Sequence, residues 1–109
     1  MGASGSLLQG TVDVLILKTL QHGPMHGYAV SRWIRERTEG VVGLDDAALY
    51  QALHRLASKG WIEAEWGLSE NNRRAKYYQV TPKGHKQLQA ETAAWRRYAT
   101  AVLNVLDHA

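Results

Sequence analysis

Trp61-Ile62-Glu63-Ala64-Glu65-Trp66 breaks the periodicity of everything before it. Ile62, Ala64 and Trp66 fall on one side and Glu63 and Glu65 on the other, which is the two-residue period of a strand. A second β-rich run, Ala75 to Val80, carries Tyr77, Tyr78 and Val80. Between the runs lies Gly67-Leu68-Ser69-Glu70-Asn71-Asn72-Arg73-Arg74, polar and rich in turn formers. Strand, polar turn, strand predicts a β-hairpin. Trp61 and Trp66 are expected as core or strand-packing residues.

Upstream of the hairpin the period is helical. Asp45-Asp46 opens a third helix, with Asp45 or Asp46 as its cap, and Leu49, Ala52, Leu53 and Leu56 form an inward stripe that leaves Tyr50, Gln51, His54 and Arg55 nearer the outside. Gly60 ends this third helix. A second helix is expected over about 26–38, with Tyr28, Ala29, Trp33 and Ile34 apolar and Ser31, Arg32, Arg35 and Glu36 wet. Gly40 stops it, and Val41-Val42 is expected as a short strand. The first helix shows Val12, Leu15, Ile16 and Leu20 on one face. Thr11 is its expected cap, with Asp13 favourable in its first turn, and His22-Gly23-Pro24 its stop. Residues 1–6 are expected as a flexible leader set apart from the fold; they lack the basic and apolar regions of a signal peptide.

Downstream, Thr81-Pro82 is a helix start with Thr as cap and Pro at the first helical position. The last helix is expected over about 82–107, nearly 40 Å at ~1.5 Å per residue. Leu88, Trp95, Ala99, Val102 and Leu106, with Thr92 in the gap, step by four and three, which is a coiled-coil seam. Exposed apolar stripes mark interfaces, so this helix (82–109 as a unit) is expected to make a homodimer. The competing reading folds it back on its own core.

The composition is that of an ordinary globular domain: 109 residues, 45% hydrophobic, 21% charged. The absence of Cys excludes disulfides and thiolate metal sites. No apolar run approaches the ~20 residues of a membrane span, and the expected location is cytoplasmic. The net charge of +3 is unevenly spread. From Leu49 to Lys86 seven Lys/Arg face three acids, whereas the remainder holds six bases and seven acids. A basic region confined to one part of the chain is the footprint of polyanion binding.

Three helices and a hairpin over 7–81, followed by the long helix, follow the plan of a winged helix-turn-helix, mainly α with a small β-hairpin. A helix fits the major groove, where base edges are distinguishable. Tyr50, Gln51, His54, Arg55 and Lys59 on or beside the third helix are therefore candidate DNA contacts. Arg73 and Arg74 at the hairpin tip are candidate phosphate contacts, Asn72 is a turn former that can also donate to phosphate, and Lys76 is a weaker candidate because strand alternation can aim it sideways. The plainer alternatives are packing for Tyr50 and solvated surface for the others.

The motifs Leu7-Leu8-Gln9-Gly10-Thr11-Val12-Asp13, His26-Gly27-Tyr28, Ala48-Leu49-Tyr50-Gln51-Ala52-Leu53-His54-Arg55-Leu56, Gly60-Trp61-Ile62 and Ser69-Glu70-Asn71-Asn72-Arg73-Arg74-Ala75-Lys76-Tyr77-Tyr78 together resemble the PadR family of bacterial transcriptional regulators. The single long last helix resembles the shorter branch of that family. The resemblance implies a dimeric repressor of an inverted-repeat operator, released by a small molecule or stress signal, with Tyr50 on DNA and the wing arginines on phosphate. Many members have Gly-Ser/Thr-Leu-Tyr-Pro where this chain has Ala47-Ala48-Leu49-Tyr50-Gln51. A hydroxyl is thus lost at Ala48, and Gln51 brings an amide that can pair with adenine. In the short branch the hollow between subunits takes flat aromatic ligands, so Trp95 has two readings: filling the interface, which is preferred, or stacking on such an inducer.

Other functions are weighed on the same residues. A winged helix used only for protein interaction would not need a basic tip. No nucleophile–base pair, phosphate loop or metal cluster suggests an enzyme, and no catalytic residue, metal or cofactor is expected. His22 and His26 alone have close spacing among the histidines, and surface decoration explains a turn pair better than a metal does.

Overall fold

The computed structural model describes residues 2–108; Met1 and Ala109 lie outside the described residues. The order is α1 (Gly2–Leu20), β1 (Met25–His26), α2 (Gly27–Arg37), α3 (Asp46–Ser58), β2 (Ile62–Leu68), β3 (Arg74–Val80) and α4 (Pro82–Leu106). The strands form one antiparallel sheet in the order β1-β3-β2.

α1 begins well before its expected start. Gly2–Leu20 is continuous helix, so the stretch expected as a leader is helical from Gly2 and Thr11 is an interior residue, not a cap. Leu7-Leu8-Gln9 are good helix formers, and no Pro interrupts the run. The buried face is also turned from the expected one, with Asp13, Ile16, Leu17 and Leu20 buried and Val12 and Leu15 only partly so. A helix that is apolar on nearly every side packs on more than one side, and α1 contacts α2, α3 and α4.

α2 is capped by His26, whose Nδ1 accepts from the Ala29 N–H at 3.2 Å. Its buried residues are Gly27, Val30, Ser31 and Ile34. Ser31, expected on the wet face, is buried and donates to the Leu44 carbonyl at 3.2 Å, whereas Tyr28 stands out in solvent. Val41-Val42 is not a strand. The Val42 N–H donates to Thr38 Oγ1 at 3.1 Å, which satisfies in a turn the donor that a ladder would have used. The third strand is instead β1, where Met25 pairs with Tyr78 and His26 with Tyr77; two residues are too few to show a period.

α3 follows its reading closely. Asp45 Oδ1 accepts from the Ala48 N–H at 2.8 Å, and Leu49, Ala52, Leu53 and Leu56 are the buried stripe. Gly60, with φ of +75°, turns the chain into β2. The Trp61 carbonyl accepts from the Thr81 N–H at 3.0 Å, and Thr81 Oγ1 donates to the Gly60 carbonyl at 2.7 Å while accepting from the Gly84 N–H at 3.0 Å. α4 therefore starts tight against the base of the wing. Gly84 makes this approach possible, because a Cβ there would sit 2.0 Å from the Trp61 oxygen.

The core joins Ile16, Leu17 and Leu20 of α1, Val30 and Ile34 of α2, the α3 stripe, Leu44, Ile62, Tyr78 and Leu88. Leu88 is a correction: expected on the dimer seam, it is only 4% exposed within its own chain. α4 stays against the rest of the chain at least as far as Trp95, which bonds to Thr11 of α1, and its last turns carry exposed apolar residues. The overall extents are 57 × 29 × 27 Å.

Candidate nucleic-acid interface

With its apolar stripe on the core, α3 turns Tyr50, Gln51 and His54 to solvent. The Tyr50 ring lies against the backbone of Gly27, where a Cβ would come 3.1 Å from the phenol oxygen. About half of the ring remains open at 51% exposure, so Tyr50 packs at one edge and is accessible at the other. Lys59, which caps the C-terminus of α3, is exposed with Nζ 4.7 Å from the Trp61 ring centre.

Arg55 does not join this outward group. Its guanidinium is hydrogen-bonded to the Asp13 carboxylate of α1, with side-chain exposures of 25% for Arg55 and 8% for Asp13. Arg55, expected to reach DNA, is thus engaged within the chain, where its cation neutralises a buried acid and ties α3 to α1. Asp13, read as a helix-start residue, is its partner.

The wing takes its shape from a closed tip. The Ser69 N–H donates to the Arg73 carbonyl at 2.8 Å and the Asn72 N–H to the Ser69 carbonyl at 2.9 Å. Asn72 has φ of +62°, a left-handed conformation that Asn tolerates better than most residues. Pairing of Trp66 with Lys76 and of Leu68 with Arg74 puts these four side chains on the face that carries Ile62, Tyr78 and Val80 lower down. Glu63, Glu65 and Gln79 occupy the opposite face, where Gln79 donates to Glu63 at 2.8 Å. The two signs of charge are thus sorted onto opposite faces. Lys76 points to the side of the core face, together with Arg74.

Trp66 departs from its reading as a packing residue, since it is 56% exposed. The Arg74 guanidinium carbon lies 4.5 Å above its ring centre. The Lys76 Nζ is 5.9 Å from both the Trp66 and the Tyr78 ring centres. No sequence signal separated this Trp from Trp61 except its distance along the strand from the core end.

Wing and helices meet across a groove of about 590 Å³ lined by His26, Tyr28, Tyr50, Trp66, Arg73, Arg74, Lys76 and Tyr78. Tyr78 is the buried aromatic of that lining. Burial first, and then the proximity of Tyr50, raise its phenol above the ordinary value of 10.0. Gln51 and His54 are exposed on α3 beyond this groove. The result is a basic, aromatic cleft beside an exposed helix face, with donors suited to phosphate and an amide suited to a base edge.

A second feature lies on α1 and α4. Trp95 Nε1 donates to Thr11 Oγ1 at 2.9 Å. A groove of about 540 Å³ runs between Val14, Leu15 and Lys18 of α1 and Leu88, Thr92, Trp95 and Arg96 of α4. Beyond it, Val102, Leu103, Val105 and Leu106 are exposed and Ala99 is half-buried. Of the residues read as a seam, Val102 and Leu106 are exposed on the last turns of α4, Trp95 is partly open but bonded to α1, Ala99 is half-buried and Leu88 lies in the core.

Among the described residues no cluster of three or more His, Asp or Glu is arranged to hold a metal. His22 lies against Trp33, with ring centres 5.2 Å apart, and His26 is engaged as the α2 cap. No described helix is long and apolar enough to cross a membrane.

A family model for PadR-like transcriptional regulators matches residues 16–90, from the end of α1 through the wing into α4. An uncharacterized protein of Lysinibacillus sphaericus is 30% identical over 89 residues, 82% of each chain. Among solved structures, a transcriptional regulator from Clostridium thermocellum is 30% identical with a TM-score of 0.81, over 91% of this chain and 96% of that one. A PadR-like transcriptional regulator from Bacillus cereus is 26% identical with a TM-score of 0.79, over 95% and 99%. A PadR family regulator from Clostridium difficile is 29% identical with a TM-score of 0.75, over 87% and 97%. The likeness takes in the long helix as well as the wing, and on this footing the chain belongs to the PadR-like family of transcriptional regulators.

Proposed function

We propose that the protein is a sequence-specific, DNA-binding repressor that works as a homodimer on an inverted-repeat operator. The observation that carries this reading is the shared cleft: Tyr50 of α3 and Arg73, Arg74 and Lys76 of the wing line one groove. α3 enters the major groove, with Gln51 and His54 toward base edges and Tyr50 at its rim. The wing residues take the flanking phosphates, which contribute affinity irrespective of sequence. Asn72 shapes the tip from which Arg73 projects, and Lys59 meets the backbone at the other end of α3.

The distal part of α4 is the dimer seam, with Trp95, Ala99, Val102 and Leu106 on it. Two half-sites one turn apart require reading helices about 34–36 Å apart, and the pair of long helices sets that spacing. A flat aromatic inducer stacked on Trp95 in the α1/α4 groove releases DNA if it binds the unbound geometry more tightly.

The test is a titration of the protein against the DNA upstream of its own gene at several salt concentrations, beside an R73A/R74A variant. If a dimer neutralises about eight phosphates, log K falls with log salt at a slope near −7. The double variant binds every sequence more weakly and with a shallower slope. No specific binding at low salt, with the variant equal to the parent, overturns the reading in favour of a winged helix that binds only proteins.

A further inference from the structure

We propose that Trp66 is a positioning residue for DNA binding, its indole holding Arg74 and Lys76 on the helix-facing side of the wing; this rests on the DNA-binding reading above. A tryptophan 56% exposed on a wing leaves apolar surface in water, and its strand face offers it no core to join. The core face of the sheet runs from Ile62 and Val80 through Tyr78, which is 6% exposed, and has left the core by the Trp66–Lys76 pair.

What the ring meets instead is charge. Arg74 lies 4.5 Å over its centre, within cation–π range, and Lys76 lies 5.9 Å from it and 5.9 Å from Tyr78. A guanidinium whose carbon lies over an indole can still offer N–H groups to phosphate oxygens. Long cationic side chains lose rotamer freedom when they bind. A wing that has already paired them with a ring loses less of it on contact with DNA. The acids of the hairpin, Glu63 and Glu65, are on the opposite face and do not compete. Lys59 over Trp61 repeats the arrangement at the far end of α3. Arg73 lies outside the strand, at the tip, and is the natural control.

The experiment measures the affinity of the full chain for a random-sequence duplex at several salt concentrations, with circular dichroism confirming that each variant folds. Trp66→Leu keeps an apolar side chain without the ring and is expected to weaken binding about fivefold per wing, with the salt slope unchanged because no charge is lost. Trp66→Phe restores binding to within about twofold of the parent. Arg74→Ala makes the slope shallower, and in that background Trp66→Leu costs much less than it does alone. In an Arg73→Ala background it costs the same as alone. Equal losses in both backgrounds, or failure of the Phe variant to rescue, would overturn the proposal. The free protein gives a second readout, since Arg74 side-chain protons carry upfield ring-current shifts that vanish in Trp66→Leu. If the shifts are present but the parent binds no DNA at low salt, the DNA reading has failed and the proposal falls with it. If the parent binds but the shifts are absent, the DNA reading stands and the role of Trp66 is refuted.

Discussion

Arg55→Ala separates a structural cation from a DNA-contacting one. The Asp13 side chain is 8% exposed and that of Arg55 25%, so removing the guanidinium leaves a carboxylate almost without water. Breaking a buried ion pair from one side costs about 3–5 kcal/mol when both partners are fully buried. Arg55 is partly wet and water can follow its deletion to the site, which places the expected loss nearer 2–3 kcal/mol. For a domain of this size that is a fall of roughly 10–20 °C in Tm. The reverse deletion is milder. Asp13→Asn leaves an amide that can still accept from Arg55, and a guanidinium that reaches solvent, so its loss is expected to be about half as large or less. The assay is urea denaturation at one fixed protein concentration, because association contributes to the stability of a dimer. DNA titrations run well below the lowered Tm follow. Arg55→Ala is expected to keep the parent's salt slope, because the charge it removes touches no phosphate. A loss of stability under about 1 kcal/mol, together with a slope shallower by about 0.9 per subunit, would refute the reasoning and return Arg55 to the DNA interface.

Two further outcomes follow from the packing. Gly84→Ala places a Cβ 2.0 Å from the Trp61 oxygen and 2.8 Å from Val80 Cγ2; α4 must retreat by more than ~1 Å to reach ordinary C···O contact, against the bonds Thr81 makes to Gly60 and Trp61. The helix-propensity gain of ~1 kcal/mol does not offset this, and denaturation should show a net loss of about 3 kcal/mol or more; a neutral or stabilised variant would show that this close approach is not required. Tyr78, whose phenol is raised above 10.0 chiefly by burial, favours the folded state in its neutral form, so its contribution is full below the unfolded phenol's value near 10 and is lost as pH rises through the higher folded value. An ultraviolet titration should show a late-ionising component that Tyr78→Phe removes, and loss of stability above about pH 10 should be shallower in that variant.

The parts of the fold legible in the sequence are those whose physics is local. The stripe Leu49, Ala52, Leu53, Leu56 is a helical period, Thr81-Pro82 is a cap with a preset backbone angle, and 61–66 is a strand period; each carries its signal within a turn or two. What escaped depends on partners distant in sequence. Asp13 and Arg55 are 42 residues apart, and the available hint was an acid set between Val12 and Val14 in a helix whose other charged residue is Lys18. Leu88 fits the four-three spacing of a seam as well as it fits a core, because a period identifies a face and not what covers it. Trp66 continues the alternation of Ile62 and Ala64, yet the core ends before the strand does, so one strand face is dry at its base and charged at its tip. In the candidate interface, exposure of Tyr50, Gln51 and His54 followed from the α3 stripe. The sorting of Arg74 and Lys76 onto one wing face depended on the register with β2.

The two contacts that spacing could not reveal also share a helix. Along α1, Thr11 accepts from Trp95 of α4, and Asp13 pairs with Arg55 of α3. Two residues apart on a helix, the two side chains leave it about 200° apart, so α1 is held from nearly opposite sides. The interior between them is close-packed, and such interiors shift as units more readily than they deform. A change in the angle between α1 and α4, made at the groove beside Trp95, must therefore either carry α3 along or break the Asp13–Arg55 pair. Breaking the pair strands a buried carboxylate, which makes joint movement of α1 and α3 the less costly course. The Asp13–Arg55 pair thus adds to the shared core in tying α3 to the helix that meets α4.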